Sequence, residues 1–260
     1  MNILDQIVCT KRVEIALARS KKPVETLEKS EAFERTCYSL REFLLDSTRT
    51  GIIAEFKRQS PSKGIINDWS SVVKVSTGYA RAGASALSIL TDQHYFGGHH
   101  QDLIDARRAN DIPVLRKDFI LDEYQIIEAK AIGADIILLI ASILSPREVQ
   151  NLARLAKSLG LSVLLEVHNL TELERSICDD LDVIGVNNRN LEDFSVSVQH
   201  SYELADQIPD QFLKIAESGI SRVETIRSLK EVGFHGFLIG ENFMKNKIPH
   251  QAMRDFVKSL

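Results

Sequence analysis

One phrase recurs along this chain of 260 residues: the end of an amphipathic stretch, a glycine, a few further residues and then a short apolar segment. Glycine fits the left-handed conformation that closes a helix, so each occurrence marks a junction between a helix and a strand. The spacings are close to one, two or three multiples of about 25 residues, which suits a unit of one strand and one helix. The four occurrences are Gly83 before ALSIL, Gly133 before IILLI, Gly160 before VLLEV and Gly233 before GFLIG.

The helices and strands of this repeat have local signals of their own. Residues 145–148 (SPRE) have the pattern of a capping box with proline at the first helical position, and residues 221–224 (SRVE) repeat its serine and glutamate. The strand segments are apolar nearly throughout, as expected for parallel strands that helices cover on the outside. From Gly51 to the C-terminus there is room for eight such units.

Polar residues interrupt these strands at their last positions. Side chains alternate between the two faces of a strand, so Glu55 and Lys57 share the face of Ile53. In an open eight-stranded sheet the first and last strands would lie roughly 30 Å apart, at about 4.8 Å per strand, whereas closure gathers all the strand ends around one mouth. The sequence therefore predicts a (β/α)₈ TIM barrel with its site at the C-terminal ends of the strands. The polar residues at these ends are Glu55, Lys57, Lys117, Glu166, Asn187, Arg189, Glu217, Ser218 and Glu241.

The first 50 residues do not fit the repeat. Two apolar stripes at helical spacing predict extra helices before the first strand. We expect most of this extension to plug the bottom of the barrel; the other role open to it is to shape the rim of the site. With no linker and no second composition in view, we expect one domain over residues 1–260, with a helical extension over 1–50 and eight βα units over 51–260. The stripes are formed by Leu4, Ile7, Val8 and Ile15, and by Phe33, Cys37, Leu40 and Leu44.

Charge and composition exclude several classes of function. The net charge of −4 argues against nucleic-acid binding, which requires a basic surface. The longest apolar runs fall far short of the ~20 residues of a membrane span, and the N-terminus lacks the apolar block of a signal peptide. The three cysteines are widely spaced and odd in number, as in a reduced protein. We expect a cytoplasmic monomer that binds neither nucleic acid nor membrane.

Seven segments in order resemble the indole-3-glycerol-phosphate synthase family, and the resemblance extends over essentially the whole chain, N-terminal helices included. Two places depart from the family pattern: Asn242-Phe243 stands where a small residue and a leucine are usual, and His99-His100 follows the Gly-Gly pair in place of a small residue. The segments are IAEFKRQSPSKG (53–64), LTDQHYFGG (90–98), VLRKDFILDEYQI (114–126), LLEVH (164–168), GVNNRNL (185–191), IAESGI (215–220) and FLIGENFM (237–244).

The resemblance implies a carbon–carbon lyase of tryptophan biosynthesis. Its reaction closes 1-(2-carboxyphenylamino)-1-deoxyribulose 5-phosphate to indole-3-glycerol phosphate with loss of CO₂ and water, and it uses no cofactor or metal. By position, the catalytic residues of the family fall on Glu55, Lys57, Lys117, Glu166, Asn187 and Ser218, with Arg189 and Glu217 binding the substrate beside them.

This chemistry explains the residue types. Ring closure requires a proton on the substrate ketone, and dehydration requires one proton delivered to a hydroxyl and another removed. We assign Lys117 as the general acid of closure and Glu166 as the general base. Crowding with Lys57 and Arg189 is expected to depress the pKa of Lys117. Lys57 would hold the substrate and serve as the acid of dehydration, although the division of roles between the two lysines stays open. The residues expected to orient these groups are Glu55 and Asn187.

The two ends of the substrate call for different surroundings. An apolar wall of Phe96, Phe119 and Leu138 would favour decarboxylation, because the site must not over-stabilise the carboxylate. The phosphate is expected at the loops after the seventh and eighth strands, where backbone N–H groups can converge on an anion. Glu241 would contribute only its N–H there, since its carboxylate would repel the phosphate. The predicted phosphate-binding residues are Lys57, Ser218, Gly219, Gly240 and Glu241.

The remaining histidines and basic residues carry less information. His94, His99 and His100 lie on one loop without a carboxylate triad and predict no metal site. We interpret His168 as structural. The basic pairs Lys11-Arg12 and Lys21-Lys22 are interpreted as solvated surface.

Two other classes of function are alternatives. A phosphoribosylanthranilate isomerase would use a cysteine and an aspartate as its acid–base pair, and neither Cys9 nor Cys37 precedes a strand end. A barrel kept as a non-catalytic scaffold would be expected to have lost some of the polar strand-end residues. None of Glu55, Lys57, Lys117, Glu166 and Asn187 is lost.

Overall fold

Eight parallel strands form a closed barrel in the computed structural model, which describes residues 3–190 and 194–260. Leu191, the last residue of the fifth family segment, and residues 1 and 2 of the predicted extension lie outside the described residues. Each strand pairs with its neighbours in chain order, and the eighth pairs with the first, so the predicted TIM barrel is confirmed. The strands are β1 (Ile52–Phe56), β2 (Ala86–Leu90), β3 (Val114–Lys117), β4 (Ile136–Ile140), β5 (Ser162–Val167), β6 (Val183–Asn187), β7 (Leu213–Glu217) and β8 (Phe234–Ile239).

Helices precede the barrel and alternate with its strands. A two-residue antiparallel ladder, Gln59–Ser60 with Gly64–Ile65, shapes the loop after β1, and a 3₁₀ turn at Ala141–Ile143 follows β4. No helix in the described part of the chain is both long and apolar enough to span a membrane. The helices are α1 (Ile3–Lys21), α2 (Val24–Leu27), α3 (Leu40–Leu45), α4 (Val72–Arg81), α5 (His100–Ala109), α6 (Glu123–Ala131), α7 (Pro146–Ser158), α8 (Leu170–Ser176), α9 (Gln199–Ala205), α10 (Val223–Glu231), α11 (Glu241–Met244) and α12 (Pro249–Val257).

Strand alternation divides the apolar residues between two cores. On β1, Ile52 and Phe56 pack in the core between the strands and the helices, while Ile53 packs inside the barrel with residues such as Leu115 and Leu164. The inward face of Ile53 is also the face of Glu55, which lies beyond it at the C-terminal end of β1. The alternation predicted for β1 is therefore confirmed.

The helix-ending glycines adopt the expected conformation. Gly83, Gly133, Gly160 and Gly233 all have positive φ angles between 75° and 94°. The capping box at the start of α7 is also confirmed, since the Ser145 hydroxyl accepts from the Glu148 N–H and the Glu148 carboxylate accepts from the Ser145 N–H.

The second predicted capping box is wrong. Helix α10 begins at Val223 with Arg222 at the N-cap position, and the Arg222 side chain makes no capping hydrogen bond. Arg222 is extended, with φ −131°, and its guanidinium contacts the Glu224 carboxylate at 3.4 Å. Glu224 therefore pairs with Arg222 and does not form the reciprocal bond of a capping box with Ser221.

The N-terminal extension occupies both ends of the barrel. Leu40 and Leu44 of α3 join the inner core at the bottom, where the Leu40 N–H donates to the Ser162 hydroxyl at the start of β5. Asp135, just before β4, accepts from the Tyr38 N–H and pairs with Arg35. The expectation that most of the extension plugs the bottom is wrong for α1.

Helix α1 lies at the opposite end, against the loops that follow β2 and β3. The Thr10 hydroxyl is 2.9 Å from the Tyr95 hydroxyl, and Lys11 forms ion pairs with Asp92 and Asp118. This longest helix of the extension therefore contributes to the mouth of the barrel.

Ser145 and Ser221 are the first residues of the two SxxE patterns, and replacing each of them tests directly which one caps a helix. Replacing Ser145 by alanine should lower the free energy of unfolding by about 1 kcal/mol, because an N–H at the start of α7 loses its acceptor. Ser221→Ala should change it by less than about 0.5 kcal/mol, since Ser221 caps no helix. Denaturant unfolding of both variants measures the difference, and equal losses would contradict the assigned start of α10.

Candidate active site

A lysine between two glutamates lies at the centre of the barrel mouth. The Lys117 ammonium, at the end of β3, is 2.9 Å from Glu166 Oε2 on β5 and 3.0 Å from Glu217 Oε2 on β7. Both carboxylates are almost fully buried, with 3% and 2% of the residue exposed. Together with Glu55 of β1, these three side chains come from the four odd-numbered strands. Alternate strands supply the members of one inward layer of a TIM barrel in the same way.

The charges of this layer set its proton affinities. Burial by itself would lower the pKa of Lys117, but Glu166 and Glu217 outweigh that effect and hold the pKa above its ordinary value. The predicted depression of the Lys117 pKa is therefore wrong: the nearest charges are carboxylates, and cationic crowding by Lys57 and Arg189 is not what governs it.

The two carboxyl groups differ in their proton affinity. Burial would raise the pKa of Glu166, but Lys117, His168 and the Asn187 amide stabilise its charged form and lower the pKa to about 2. Burial raises the pKa of Glu217 to about 7, reinforced by the charges of Glu166 and Glu55 and opposed by Lys117.

Neighbouring residues fix the position of Glu166. The Asn187 amide donates to Glu166 Oε1 at 3.0 Å, and the Asn187 oxygen accepts from the Arg189 N–H. His168, interpreted from the sequence as structural, has Nε2 3.6 Å from Glu166 Oε1 and Nδ1 3.2 Å from Glu172 Oε2. His168 lies two residues beyond Glu166, and side chains two positions apart point to the same face of a strand. This spacing is the sequence signal that could have placed His168 in the site.

The second lysine has its own carboxylate partner. Lys57 Nζ lies 2.7 Å from Glu55 Oε1, and the Ser88 hydroxyl donates to Glu55 Oε2 at 3.3 Å. A Cβ on Gly240 would lie 2.4 Å from Glu55 Oε1, so a residue without a side chain is needed where the end of β8 approaches this carboxylate. Lys57 and Lys117 thus each have a separate anionic partner.

Apolar side chains form one side of the same cavity. Phe96 and Phe119 pack with their ring centroids 5.9 Å apart, and Leu138 lies beside them on β4. These three residues were predicted from the sequence. Helix α1 adds Ile3, Leu4 and Ile7. Leu4 and Ile7 were noted as part of an apolar stripe but were not placed at the mouth, and Ile3 was not noted.

Lys11 anchors this helix. Its ammonium lies 2.9 Å from Asp92 Oδ2, 3.0 Å from Asp118 Oδ1 and 2.7 Å from Glu14 Oε2, and only 4% of the residue is exposed. Burial would lower the pKa of Lys11, but Asp118 and Asp92 raise it above the ordinary value. The interpretation of Lys11 as solvated surface is therefore wrong, whereas its neighbour Arg12 is exposed.

The opposite side of the mouth is polar and cationic. A second lobe, which shares Glu55, Lys57, Arg189 and Ser218 with the first, contains the four predicted loop residues Ser218, Gly219, Gly240 and Glu241. Lys63 and Lys245, which were not singled out in the sequence, also line it. Ser218 and Gly219 both have positive φ, and the Asn188 amide donates to the Ser218 carbonyl at 3.3 Å.

Two of the atypical positions pack away from this lobe. Phe243 is buried in the outer core, with ring centroids 5.9 Å from Tyr79 and 5.6 Å from Phe256, so only Asn242 of that pair lines the lobe. His100 contacts Arg116 and Glu128; burial and the charge of Arg116 lower its pKa to about 4. Over residues 3–190 and 194–260, no three His, Cys, Asp or Glu side chains form a group able to hold a metal ion.

Comparison with known proteins gives the family. The model of the family described as indole-3-glycerol phosphate synthase matches residues 4–256. A protein of that name from Bacteroides thetaiotaomicron is 45% identical over 259 residues, covering 100% of this chain and 99% of its own length. Another from Chromobacterium violaceum is 42% identical, covering 97% of this chain and 96% of its own.

The chain belongs to the indole-3-glycerol phosphate synthase family. Enzymes of this family are carboxy-lyases of tryptophan biosynthesis. Among solved structures, a chain of the tryptophan synthase α₂β₂ complex from Pyrococcus furiosus is 15% identical with a TM-score of 0.61, covering 81% of this chain and 98% of its own. An N-acetylmannosamine-6-phosphate 2-epimerase from Clostridium perfringens is 16% identical with a TM-score of 0.59, covering 84% and 96%. These two likenesses show the barrel fold alone.

The family assignment decides between the alternatives left by the sequence. Neither the isomerase nor the scaffold is supported, and Cys37 lies at the bottom of the barrel, 3.7 Å from the Ala134 carbonyl. The six predicted catalytic positions all line one cavity at the mouth. Their individual roles stay predictions.

The adjacent residues Lys11 and Arg12 test the anchoring of α1. Lys11→Met should lower the free energy of unfolding by about 3–5 kcal/mol, because it leaves the buried Asp92 carboxylate without its cation and Asp118 with Arg116 alone. Arg12→Met should change it by no more than about 0.5 kcal/mol, since Arg12 is exposed. Chemical denaturation measures both, and a Lys11 variant as stable as the Arg12 variant would contradict the anchoring role.

Proposed function

We propose that this chain closes the ring of 1-(2-carboxyphenylamino)-1-deoxyribulose 5-phosphate and, with loss of CO₂ and water, forms indole-3-glycerol phosphate. The observation that carries the proposal is the buried Lys117 ammonium between Glu166 and Glu217, in a cavity with one apolar and one cationic side. Such a cavity suits a substrate with an aromatic ring at one end and a phosphate at the other.

Lys117 protonates the ketone oxygen as the aromatic carbon attacks the ketone carbon. The two glutamates beside it fix the direction of the ammonium. Glu166, ionised and oriented by Asn187, is the general base that accepts the proton removed from carbon during dehydration. Lys57, held by Glu55, binds the substrate and delivers the proton to the leaving hydroxyl during dehydration. The separate anionic partners of the two lysines support this division of roles.

Loss of CO₂ is favoured where the ring carboxylate is poorly solvated. Phe96, Phe119 and Leu138, together with the apolar residues of α1, would surround the aromatic ring and exclude water from it. Loss of neutral CO₂ is favourable in such surroundings because it removes a carboxylate charge that apolar side chains cannot solvate.

The phosphate is assigned to the cationic lobe after β7 and β8. Backbone N–H groups of Gly219 and Glu241 would donate to it, with Ser218 and Gly240 forming the turns and Lys57 adding charge. The Glu241 carboxylate lies 3.6 Å from Arg189 Nη2 and 3.9 Å from Lys63 Nζ, so cations offset its repulsion of the anion. Arg189 and Glu217 complete the substrate contacts.

Further expectations accompany this function. We propose one domain over residues 1–260, monomeric and cytoplasmic, that takes a small phosphorylated substrate and binds neither nucleic acid nor membrane. The acid–base roles assigned above involve only side chains, so the reaction is proposed to need no cofactor or metal.

The function is tested by adding the carboxyphenylamino-deoxyribulose phosphate to protein dialysed against a chelator. Indole fluorescence should appear without added metal. Lys117→Met should lower kcat by about 10²–10⁴-fold, the usual loss on removing a general acid, with little change in substrate affinity because the phosphate lies on the other side of the mouth. Lys57→Met should also raise KM.

Several outcomes would count against these assignments. Absence of indole from the unaltered protein would overturn the function, and dependence on one divalent ion would overturn the metal-free mechanism. A Lys117→Met variant with near-normal kcat, or with weak binding as its only defect, would transfer the acid role in closure to Lys57.

The phosphate position gives a separate prediction. Inorganic phosphate should inhibit competitively, raising the apparent KM without changing kcat, because it occupies the lobe formed by Ser218-Gly219 and Gly240-Glu241. Sodium chloride at the same ionic strength is the control for screening. A crystal soaked in sulfate should hold the anion at these loops, and an anion bound elsewhere in the mouth would refute the assignment.

A further inference from the structure

The proposed reaction consumes one proton in each turnover. In ring closure the aromatic carbon bonds to the ketone carbon, and the ketone oxygen takes up a proton. The ring carboxylate then leaves as neutral CO₂, and the electron pair of its broken bond restores the aromatic ring, so no proton returns at that step. Dehydration delivers one proton to the hydroxyl and removes one from carbon. One acidic group in the site must therefore be protonated at the start of each turnover and deprotonated at its end.

Lys117 by itself is poorly suited to be that acid. The Glu166 carboxylate stabilises the ammonium and raises its pKa, so a neutral amine left beside it would be unfavourable. The amine needs a second donor at hydrogen-bond distance, and the groups at that distance are Glu166 and Glu217.

The surroundings of the two carboxyl groups show which of them retains a proton. Glu166 Oε1 accepts from the Asn187 amide, and His168 lies beside it, so the charge is stabilised on Glu166. Glu217 Oε1 is buried and has no hydrogen-bond partner among the described residues. It packs against Gly185 of β6, where a Cβ would lie only 2.3 Å away. An ionised carboxylate in such a position would be destabilised, whereas a protonated one carries no charge to solvate.

We propose, on the basis of the function proposed above, that Glu217 supplies the consumed proton through Lys117. As a Lys117 N–H bond breaks and an O–H bond forms on the substrate ketone, the Glu217 O–H bond breaks and a new N–H bond forms on Lys117 Nζ. Glu217 then remains as a carboxylate against the restored ammonium, and it takes a proton from solvent before the next turnover. Glu217 thus acts through Lys117 and does not touch the reacting atoms.

The charged groups around Glu217 fit this role. Lys117 on β3, Glu166 on β5 and Glu55 on β1 all face Glu217. His168, the residue directly after β5, faces it as well. Burial, with the charges of Glu166 and Glu55, raises its pKa to about 7 against the opposing effect of Lys117. An acid is most effective when its pKa lies near the working pH, so Glu217 is matched to neutral conditions and Lys117 is not.

The test is the pH dependence of ring closure, measured as indole formation in a single turnover. The protonated form of Glu217 is the active one, so the rate of the unaltered protein should be highest below pH 7 and fall as the pH rises through about 7. Glu217→Gln keeps the shape but holds no exchangeable carboxyl proton. It should be slower by at least about 10²-fold and should lose the decline near pH 7. Glu217→Asp should recover part of the rate together with that decline.

Glu55→Gln is the matched control, since it removes another buried carboxyl group of the same layer. It should keep the decline and move it to lower pH, because the Glu55 charge raises the pKa of Glu217. A Glu217→Gln variant that forms indole with the decline unchanged would overturn the proton-supply role, even if it were slow. Failure of the unaltered protein to form indole at any pH would instead refute the proposed function.

Discussion

Burial of an ammonium group between two carboxyl groups constrains the barrel more than any other interaction. Taking the Lys117 ammonium and the Glu166 carboxylate out of water costs several kcal/mol per ion, and their attraction, with the hydrogen bond from Lys117 to Glu217, offsets this only at hydrogen-bond distance. The three side chains come from β3, β5 and β7, which meet at one point only because the sheet is closed. Closure thus permits the cluster, and the cluster in turn penalises any strand register that would separate its members. The apolar layers beneath it carry no such geometric requirement.

The mouth of the barrel is completed by a helix that precedes the barrel in the chain. Lys11 joins α1 to Asp118, the residue directly after Lys117, and to Asp92 in the loop after β2. Asp92 Oδ1 in turn accepts from the Tyr95 and Phe96 N–H groups. One buried ion-pair network therefore positions the apolar wall from α1, the Phe96 loop and the segment after the central lysine. Disturbing α1 would change the surroundings of the acid as well as the shape of the cavity.

Period-two alternation and the glycine repeat were enough to predict the barrel and the inward-facing strand ends, because both depend on backbone geometry that sequence spacing records directly. Contacts between distant segments leave no such record. Lys11 could not be distinguished from the exposed Arg12, since Asp92 and Asp118, the buried partners of Lys11, lie more than eighty positions away. The pKa of Lys117 was predicted in the wrong direction because residue types at strand ends do not say which charges are nearest. Ser221 is not a cap because α10 begins at Val223, which places Arg222 at the N-cap position.

The uneven distribution of charge around the mouth also restricts how the proposed substrate can lie. Placing its phosphate against α1, Phe96 and Phe119 would desolvate a dianion among apolar side chains, whereas the lobe after β7 and β8 offers Lys57, Lys63 and Lys245. The aromatic ring must then lie on the α1 side, and the ketone between the two ends falls over the Lys117 layer. In that orientation the ring carboxylate is farthest from the cationic lobe, where a lysine or arginine would stabilise it and oppose its loss as CO₂. In the proposed reaction, the separation of apolar and cationic surfaces would therefore favour decarboxylation as well as orient the substrate.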